Sequence, residues 1–244
     1  MSNQRKDIHN SDLPVLCRSC EVRHKGICGA LTEEQLITLS KTTSRKFAEP
    51  GTELIRDSEP VTTYANVVSG IVKLSKLLED GRQQIVGLQY APDFLGRPLR
   101  EESLVAAEAA TTVELCAFPK SVLERLMAES PELEHKLLEQ NLKELDEARE
   151  WMVTLGRKTA QEKIASFLYM VAAHMDPEVD LKEDQEMTFE LPLTRADIAD
   201  YLGLTIETVS RQLTKLRKSG VISIESNRRV TVPNMEWLNR VAGN

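Results

Sequence analysis

Four cysteines are the residues of this chain best suited to chemistry, and three of them lie close together in the sequence. Cys17, Cys20 and Cys28 form a compact trio, whereas Cys116 comes much later. Cysteines in the reducing cytoplasm rarely form disulfides, so a cluster there indicates metal binding or redox chemistry. Four thiolates can bind either a zinc ion or an iron–sulfur cluster. The spacing alone does not decide between zinc and an iron–sulfur cluster, although the second CxxC pair typical of structural zinc is absent.

A second group of candidate functional residues lies between residues 193 and 224. Thr194 is predicted to cap a first helix, and Gly203 to form a tight turn with positive φ. Thr205 is predicted to cap a second helix, which Gly220 ends. Two helices joined in this way predict a helix-turn-helix. A plain helical hairpin would not explain why polar side chains gather on the exposed start of the second helix.

The second helix of such a motif enters the major groove of DNA, where its first turns face the base edges. There an arginine can bond to guanine, a glutamate can accept from cytosine, and a serine or threonine can contact a base or a phosphate. The segment ISIESNRRVTV then predicts the β-hairpin of a winged helix, with Arg228 and Arg229 at its tip. The predicted DNA-contacting residues are Arg195, Glu207, Thr208, Ser210, Arg211, Lys215 and Arg228.

The sequence between the cysteine trio and residue 193 predicts the helices and strands that must position both groups of candidate residues. Thr32 and Gln35 form a capping box that begins a short helix. Residues 44–118 contain short β-type runs separated by turn residues, and the Asp80-Gly81 pair between two of these runs predicts a hairpin. Many short strands in succession indicate a β-roll or jelly-roll barrel.

A long helix is predicted to open at Pro131 and to end at Arg157. Its residues include an a/d pattern at spacings of three and four, as in a coiled-coil seam. The helix could pack on its own barrel as a core helix, or it could join two subunits of a dimer. We favour the dimer helix. The seam residues are Leu138, Asn141, Leu145, Ala148, Met152 and Leu155.

The overall composition is that of a soluble globular protein, and its length of 244 residues fits two domains. The net charge of −7 argues against a nucleic-acid partner, but basic residues are concentrated between residues 195 and 229. No apolar run approaches the roughly 18 residues that span a bilayer, and the amino terminus lacks the apolar core of a secretory signal. We therefore expect a cytoplasmic protein with no membrane partner. The sequence contains no Walker, GxSxG or HExxH motif, so no enzyme is predicted.

The predicted β-roll, long helix and winged helix-turn-helix together resemble the family of cyclic-AMP receptor and fumarate–nitrate-reduction regulators. The sequence ETVSR at 207–211 matches the E-x-x-S-R core of the oxygen-responsive, iron–sulfur branch of that family. The resemblance implies that Glu207, Ser210 and Arg211 read the bases of a TTGAT-type half-site. It further implies a homodimer that binds an inverted repeat in double-stranded DNA and that contacts RNA polymerase.

The resemblance also extends to the cysteines. Three thiols on one loop, with Cys116 supplied by the barrel, are similar to the family's oxygen-labile [4Fe–4S] centre. Gly26 and Gly29 beside Cys28 would let the backbone wrap closely round such a cluster. The alternative is a regulator of the same fold that is controlled by zinc or by thiol redox chemistry, with Cys116 a buried core residue.

A regulator controlled by a cyclic nucleotide is a further alternative. Cyclic-AMP receptors hold the nucleotide with a Gly-Glu pair, followed some ten residues later by an Arg-Ser pair on the phosphate. Here Gly96 is followed by Arg97, and Leu104 and Val105 stand near the expected Arg-Ser position. The sequence therefore disfavours nucleotide binding.

The predicted architecture is an α+β chain with a β-roll of the cyclic-nucleotide-binding type, a long dimerisation helix and a winged helix-turn-helix. Acidic residues within 176–188 predict an exposed loop in the last part. The predicted parts are a cysteine-rich cluster-binding segment (1–30), a β-roll sensor domain (31–130), the dimerisation helix (131–157) and the DNA-binding domain (158–244).

Overall fold

The computed structural model describes residues 13–175, 186–226 and 228–243. The first twelve residues of the predicted cysteine-rich segment lie outside these ranges, as does most of the predicted acidic loop (176–185). The chain divides into two compact units. The first comprises residues 1–76 and 87–145, and the second comprises residues 77–86 and 146–244.

The predicted β-roll is confirmed, with short helices before and after it. The elements in chain order are α1 (Val15–Arg18), a 3₁₀ helix (Ile27–Ala30), α2 (Glu33–Ser40), β1 (Ser44–Ala48), β2 (Glu53–Ile55), β3 (Thr63–Ser69), β4 (Val72–Leu77), β5 (Gln83–Gln89), β6 (Phe94–Leu95), β7 (Ala106–Ala109), β8 (Val113–Pro119), α3 (Lys120–Glu129) and α4 (Pro131–Arg157). The capping box predicted for α2 is present: Gln35 donates its backbone N–H to Oγ1 of Thr32 at 3.3 Å, and its side chain accepts from the Thr32 N–H at 3.0 Å.

Two four-stranded sheets form the roll, with strand orders β1-β8-β3-β6 and β2-β7-β4-β5. In the first sheet, β8 pairs antiparallel with both β1 and β3. Cys116 lies at the centre of this pairing, directly opposite Arg45 on one side and Asn66 on the other. Because directly paired residues point to the same face of a sheet, these three side chains share a face.

The two faces of this sheet belong to different cores. Small and branched side chains such as Ala65, Val67 and Leu115 fill the interior of the roll. The opposite face presents Tyr64 and Phe118 to a second apolar core, which is shared with the cysteine segment and the first turns of α4. The members of this second core include Leu13, Ile27, Leu36, Phe94, Leu123, Leu133 and Leu137.

The second unit contains the predicted winged helix-turn-helix. Its remaining elements are α5 (Ala160–Met175), β9 (Met187–Glu190), α6 (Arg195–Leu202), α7 (Ile206–Lys218), β10 (Ser223–Glu225), β11 (Arg229–Val232) and α8 (Met235–Val241). The predicted wing hairpin is present as β10 and β11, and β9 extends it to three strands. The acidic loop was predicted to run to residue 188, which is wrong at its end, because Met187 and Thr188 already pair with β11.

Replacing Ile27 with alanine should destabilise the first unit. Ile27 is fully buried in the core that anchors the cysteine segment, so Ile27→Ala should lower the free energy of unfolding by about 2–5 kcal/mol. Urea denaturation of the full chain measures the change. Val15→Ala is the control, because Val15 lies on the same segment with its side chain largely exposed. An equal, small effect of both substitutions would mean that the segment is not anchored through Ile27.

Candidate functional site: a four-cysteine cavity and a DNA-reading helix

All four cysteines line one cavity in the first unit. Cys17 lies in α1, Cys20 follows shortly after it, Cys28 lies in the 3₁₀ helix and Cys116 in β8. Each is partly buried. The fold thus brings Cys116 to three thiols that lie far from it in the sequence. The other residues that line the cavity are Leu16, Val22, Arg23, Gly26, Asn66, Val68 and Pro92.

Two glycines let the cysteine segment take its tight path. A Cβ atom at Gly29 would lie 2.7 Å from the carbonyl oxygen of His24, which real Cβ atoms essentially never do. A Cβ atom at Gly26 would lie 3.2 Å from the carbonyl oxygen of Pro92. This geometry agrees with the expectation that glycines beside Cys28 permit close wrapping of the backbone.

Residues of the sheet also hold the segment, and sequence reasoning missed them. Arg45 forms an ion pair with Glu114, and its Nη2 donates to the carbonyl oxygen of Leu16 at 3.4 Å. Asn66 donates from Nδ2 to Sγ of Cys28 at 3.4 Å. The available signal for Asn66 was a polar residue in the middle of the otherwise apolar strand run YANVV.

Burial controls the thiol chemistry of the cavity. Burial, followed by the nearby thiol of Cys116, raises the pKa of Cys28 to about 12. Burial likewise raises the pKa of Cys116 to about 11, although the guanidinium of Arg45 opposes this shift. The pKa of Cys17 is also raised, again mainly by burial. These three thiols are therefore protonated at neutral pH unless a metal displaces the proton, and a protonated thiol is a poor nucleophile.

The cavity offers four sulfur atoms as possible donors to a bound group. Within the described ranges, no three His, Cys, Asp or Glu side chains form a group that could hold one metal ion. Four cysteine sulfurs are also the ligand set of a [4Fe–4S] cluster. The buried side chain of Arg23 lines the same cavity and brings positive charge beside the four thiols.

The helix-turn-helix forms as predicted in the second unit. Thr194 caps α6 in a capping box with Asp197, and Gly203 takes the left-handed conformation at φ 61°. The hydroxyl of Thr205 accepts the backbone N–H of Thr208 at 3.2 Å, which caps α7. Gly220 follows α7 with φ 77°. Local sequence signals therefore fix where each of the two helices begins and ends.

The start of α7 presents polar side chains to solvent. Glu207, Ser210 and Arg211 are exposed, and Nη2 of Arg211 donates to Oγ1 of Thr208 at 3.1 Å. The backbone N–H of Glu207 itself, followed by the Thr205 hydroxyl, donates to the Glu207 carboxylate and lowers its pKa. Glu207 is thus an ionised acceptor at neutral pH.

The remaining predicted DNA contacts differ in exposure. Lys215 and Arg228 are exposed, the second beside the wing hairpin. Arg195 is only partly exposed, and burial lowers the pKa of its guanidinium. The side chains of Lys215 and Arg228 are therefore accessible from solvent, whereas that of Arg195 is more restricted.

Two known domain families match this chain, one over the β-roll and one over the carboxyl-terminal helices. Residues 45–130 match the cyclic nucleotide-binding domain, and residues 162–241 match the Crp-like helix-turn-helix domain. A protein described as a "Probable transcriptional activator" of Rhizobium leguminosarum bv. viciae is 51% identical over 99% of both chains. The transcriptional activator protein FnrL of Cereibacter sphaeroides is 43% identical over 93% of this chain and 92% of its own.

The chain belongs to the CRP-FNR family of transcription regulators. The solved structure of FixK2 from Bradyrhizobium japonicum superposes with a TM-score of 0.73 at 31% identity, over 82% of this chain and 96% of that chain. Membership accounts for the β-roll and for the carboxyl-terminal DNA-binding domain. The helices of the described ranges lack the apolar length that a bilayer crossing requires.

The long helix α4 of this CRP-FNR protein exposes most of its predicted seam. The side chains of Leu138, Leu145 and Met152 are 54%, 44% and 70% exposed, respectively. Asn141 and Ala148 are exposed, and Leu155 is half-buried. Leu142 and Val153, which the seam prediction omitted, are exposed as well. The alternative of a core helix describes the first turns, where Leu133 and Leu137 are buried, and part of the last turns, where Thr154 is buried.

In the second unit, two donors converge on one carbonyl oxygen at the end of α6. Gln84 Nε2 donates to the backbone oxygen of Tyr201 at 3.2 Å, and Trp151 Nε1 donates to the same oxygen at 3.4 Å. The Trp151 ring also stacks on the Tyr201 ring, with centroids 4.3 Å apart. These contacts fix α6, and with it the turn that leads into the recognition helix.

The segment from Gly96 to Val105 is the one in which the sequence lacks the Gly-Glu and Arg-Ser pairs of cyclic-AMP receptors. Arg97 and Arg100 are exposed, and the hydroxyl of Ser103 is engaged with the carbonyl oxygen of Val105 at 2.6 Å. A Cβ atom at Gly96 would lie 2.3 Å from the ring of Tyr64. The Ser103 hydroxyl is therefore already engaged with the backbone, whereas both arginine side chains extend into solvent.

Substitutions in α7 should separate base reading from phosphate contact. Arg211→Ala should cost about 1–3 kcal/mol of binding, mostly at one guanine of the half-site. Glu207→Ala should relax the preference at a neighbouring base pair without weakening nonspecific binding, because it removes an anion from a surface that faces phosphates. Arg228→Ala is the matched control, since a phosphate contact should weaken binding to all sequences alike and reduce its salt dependence.

A substitution scan of TTGAT-type sites, read by fluorescence anisotropy at several salt concentrations, measures these effects. Wild-type preference at every position in both α7 variants would place the base contacts on other residues.

Proposed function

We propose that this protein is an oxygen-responsive transcription activator that holds a [4Fe–4S] cluster and binds an inverted repeat of TTGAT-type half-sites as a homodimer. The observation that carries the proposal is the convergence of Cys17, Cys20, Cys28 and Cys116 on one cavity. The ETVSR sequence of the recognition helix and the similarity to the activator FnrL support it.

The four cysteines would hold the cluster, which when bound supplies a centre that dioxygen can destroy. Arg45 and Asn66 orient the cysteine segment on the sheet, and Arg23 balances the charge of the thiolates. With its thiols engaged, the segment stays fixed between the sheet and the first turns of α4 through their common apolar core. Release of the thiols removes this restraint on the base of α4.

The exposed seam of α4 would pair with its counterpart in a second copy of the chain. Pairing buries Leu138, Leu145 and Met152, which a monomer leaves in water. Binding to both half-sites of an inverted repeat requires two recognition helices about 34 Å apart, one turn of DNA. Each half-site is then read by Glu207, Ser210 and Arg211, while basic residues such as Lys215 and Arg228 contact phosphates. RNA polymerase would be the partner of the DNA-bound dimer.

The cluster is tested by purifying the full chain without air. The wild-type protein should be brown and contain iron and sulfide in equal amounts. Each single Cys→Ser replacement at positions 17, 20, 28 and 116 should abolish this content while far-UV circular dichroism stays unchanged. Val15→Ala is the control, because Val15 lies on the same segment with its side chain largely exposed and does not line the cavity.

A colourless wild-type protein with stoichiometric zinc would overturn the cluster and support the zinc-controlled alternative. A single cysteine variant that keeps its iron would remove that residue from the ligand set.

The dimer is tested at the centre of the seam. Leu145→Glu should yield monomers that no longer bind the inverted repeat, because each buried carboxylate would face its twin in the pair. Lys143→Glu is the matched control, since Lys143 is exposed two residues away and so points to a different side of the helix. Light scattering gives the mass of each species. A dimeric Leu145→Glu protein would place the interface elsewhere.

A further inference from the structure

A buried amide interrupts the apolar centre of strand β3. Asn66 is 5% exposed, and its neighbours Tyr64, Ala65 and Val67 are all buried. Asparagine is depleted in strands, and burying an amide that lacks compensating bonds is unfavourable. An apolar residue at this position would stabilise the strand more simply. The amide therefore requires an explanation beyond the fold.

The contacts of Asn66 point to the four-cysteine cavity. Its side chain lines that cavity and donates from Nδ2 to Sγ of Cys28 at 3.4 Å. In the sheet it stands directly opposite Cys116. In the described part of the chain its Oδ1 is buried without a hydrogen-bond partner. One side chain thus touches a cysteine of the loop from a position beside the cysteine of the sheet.

An amide donor has a specific effect on a ligating sulfur. A neutral thiol is a weak acceptor, whereas a deprotonated sulfur accepts a stronger, charge-assisted hydrogen bond. Groups that donate to metal ligands orient them, and their removal typically weakens metal binding 10- to 100-fold. The contact between Asn66 and Cys28 therefore gains strength when the sulfur becomes a ligand.

We infer that Asn66 is a positioning residue of the cluster site, whose amide N–H holds the Cys28 sulfur in its ligating orientation and slows its exchange off the metal. This inference rests on the proposed function. It assigns to Cys28 a restraint from the sheet in addition to those of its own loop.

The test compares iron release from the full chain without air, after reconstitution with iron and sulfide, into an excess of a colorimetric Fe(II) chelator. Asn66→Asp preserves the shape of the side chain but replaces the donor with an acceptor, and Asn66→Leu removes all polar atoms at similar size. Both variants should release iron about 10-fold faster than wild type or more. Asn66→Ser keeps a shorter hydrogen-bond donor, so its rate of iron release should lie between the rates of these two variants and that of wild type.

Val68→Ala is the matched control for packing. Val68 lies two residues along the same strand, lines the same cavity and has no polar side-chain atom. It should release iron at close to the wild-type rate. Far-UV circular dichroism and the thermal midpoint of each cluster-free variant check that the fold is kept.

The possible results distinguish a failure of the role assigned to Asn66 from a failure of the proposed cluster binding. Wild-type protein that holds no iron would overturn both. Wild-type protein that holds iron, with an Asn66→Asp variant that releases it at the wild-type rate, would overturn only the role of Asn66. Equal acceleration in Asn66→Asp and Val68→Ala would show that Asn66 acts through packing, which also overturns the inference.

Discussion

The arrangement of the first unit depends on one apolar core that joins three parts of the chain. Leu13 and Ile27 enter it from the cysteine segment, Tyr64 and Phe118 from the sheet, and Leu133 from the base of α4. Burying a side chain of this size contributes about 1.5–3 kcal/mol relative to leaving it in water. This core brings the cysteine trio against Cys116, and without it the four thiols would not share a cavity.

The local features of the DNA-reading unit could be predicted because short-range chemistry determines them. Thr194 and Thr205 cap helices within four residues of themselves, and Gly203 takes the positive φ expected of a helix-turn-helix turn. Strands were harder to predict: β1 is an edge strand with mostly exposed residues, and the alanine-rich β7 lacks the β-branched residues that indicate strands. The fold class was nevertheless predictable, because turn residues marked most of the remaining strands.

Only part of the cysteine site could be predicted from the sequence. The trio was visible from its spacing, and Cys116 could be added only because family resemblance suggested a fourth ligand. Arg45 and Asn66 were missed because the pairing register that places them beside Cys116 joins residues far apart in sequence. Register depends on which strands meet, which no local pattern in β3 specifies. A polar residue inside an apolar strand was the only trace of this arrangement in the sequence.

Under the proposed function, the core shared by the cysteine segment and α4 would make cofactor binding and dimer formation mutually dependent. Leu133 and Leu137 lie in the same apolar core as Ile27, so a movement of the segment would alter the packing at the base of the helix. Thermodynamic linkage is symmetrical: the factor by which a bound cofactor favours helix pairing is the factor by which pairing favours the cofactor. A DNA site that stabilises the pairing of two α4 helices would then increase the affinity of the thiols for their cofactor. A regulator bound at a promoter would then have a higher affinity for its cofactor than the same regulator free in solution. The DNA site itself would therefore help to determine how sensitive the regulator is to oxygen.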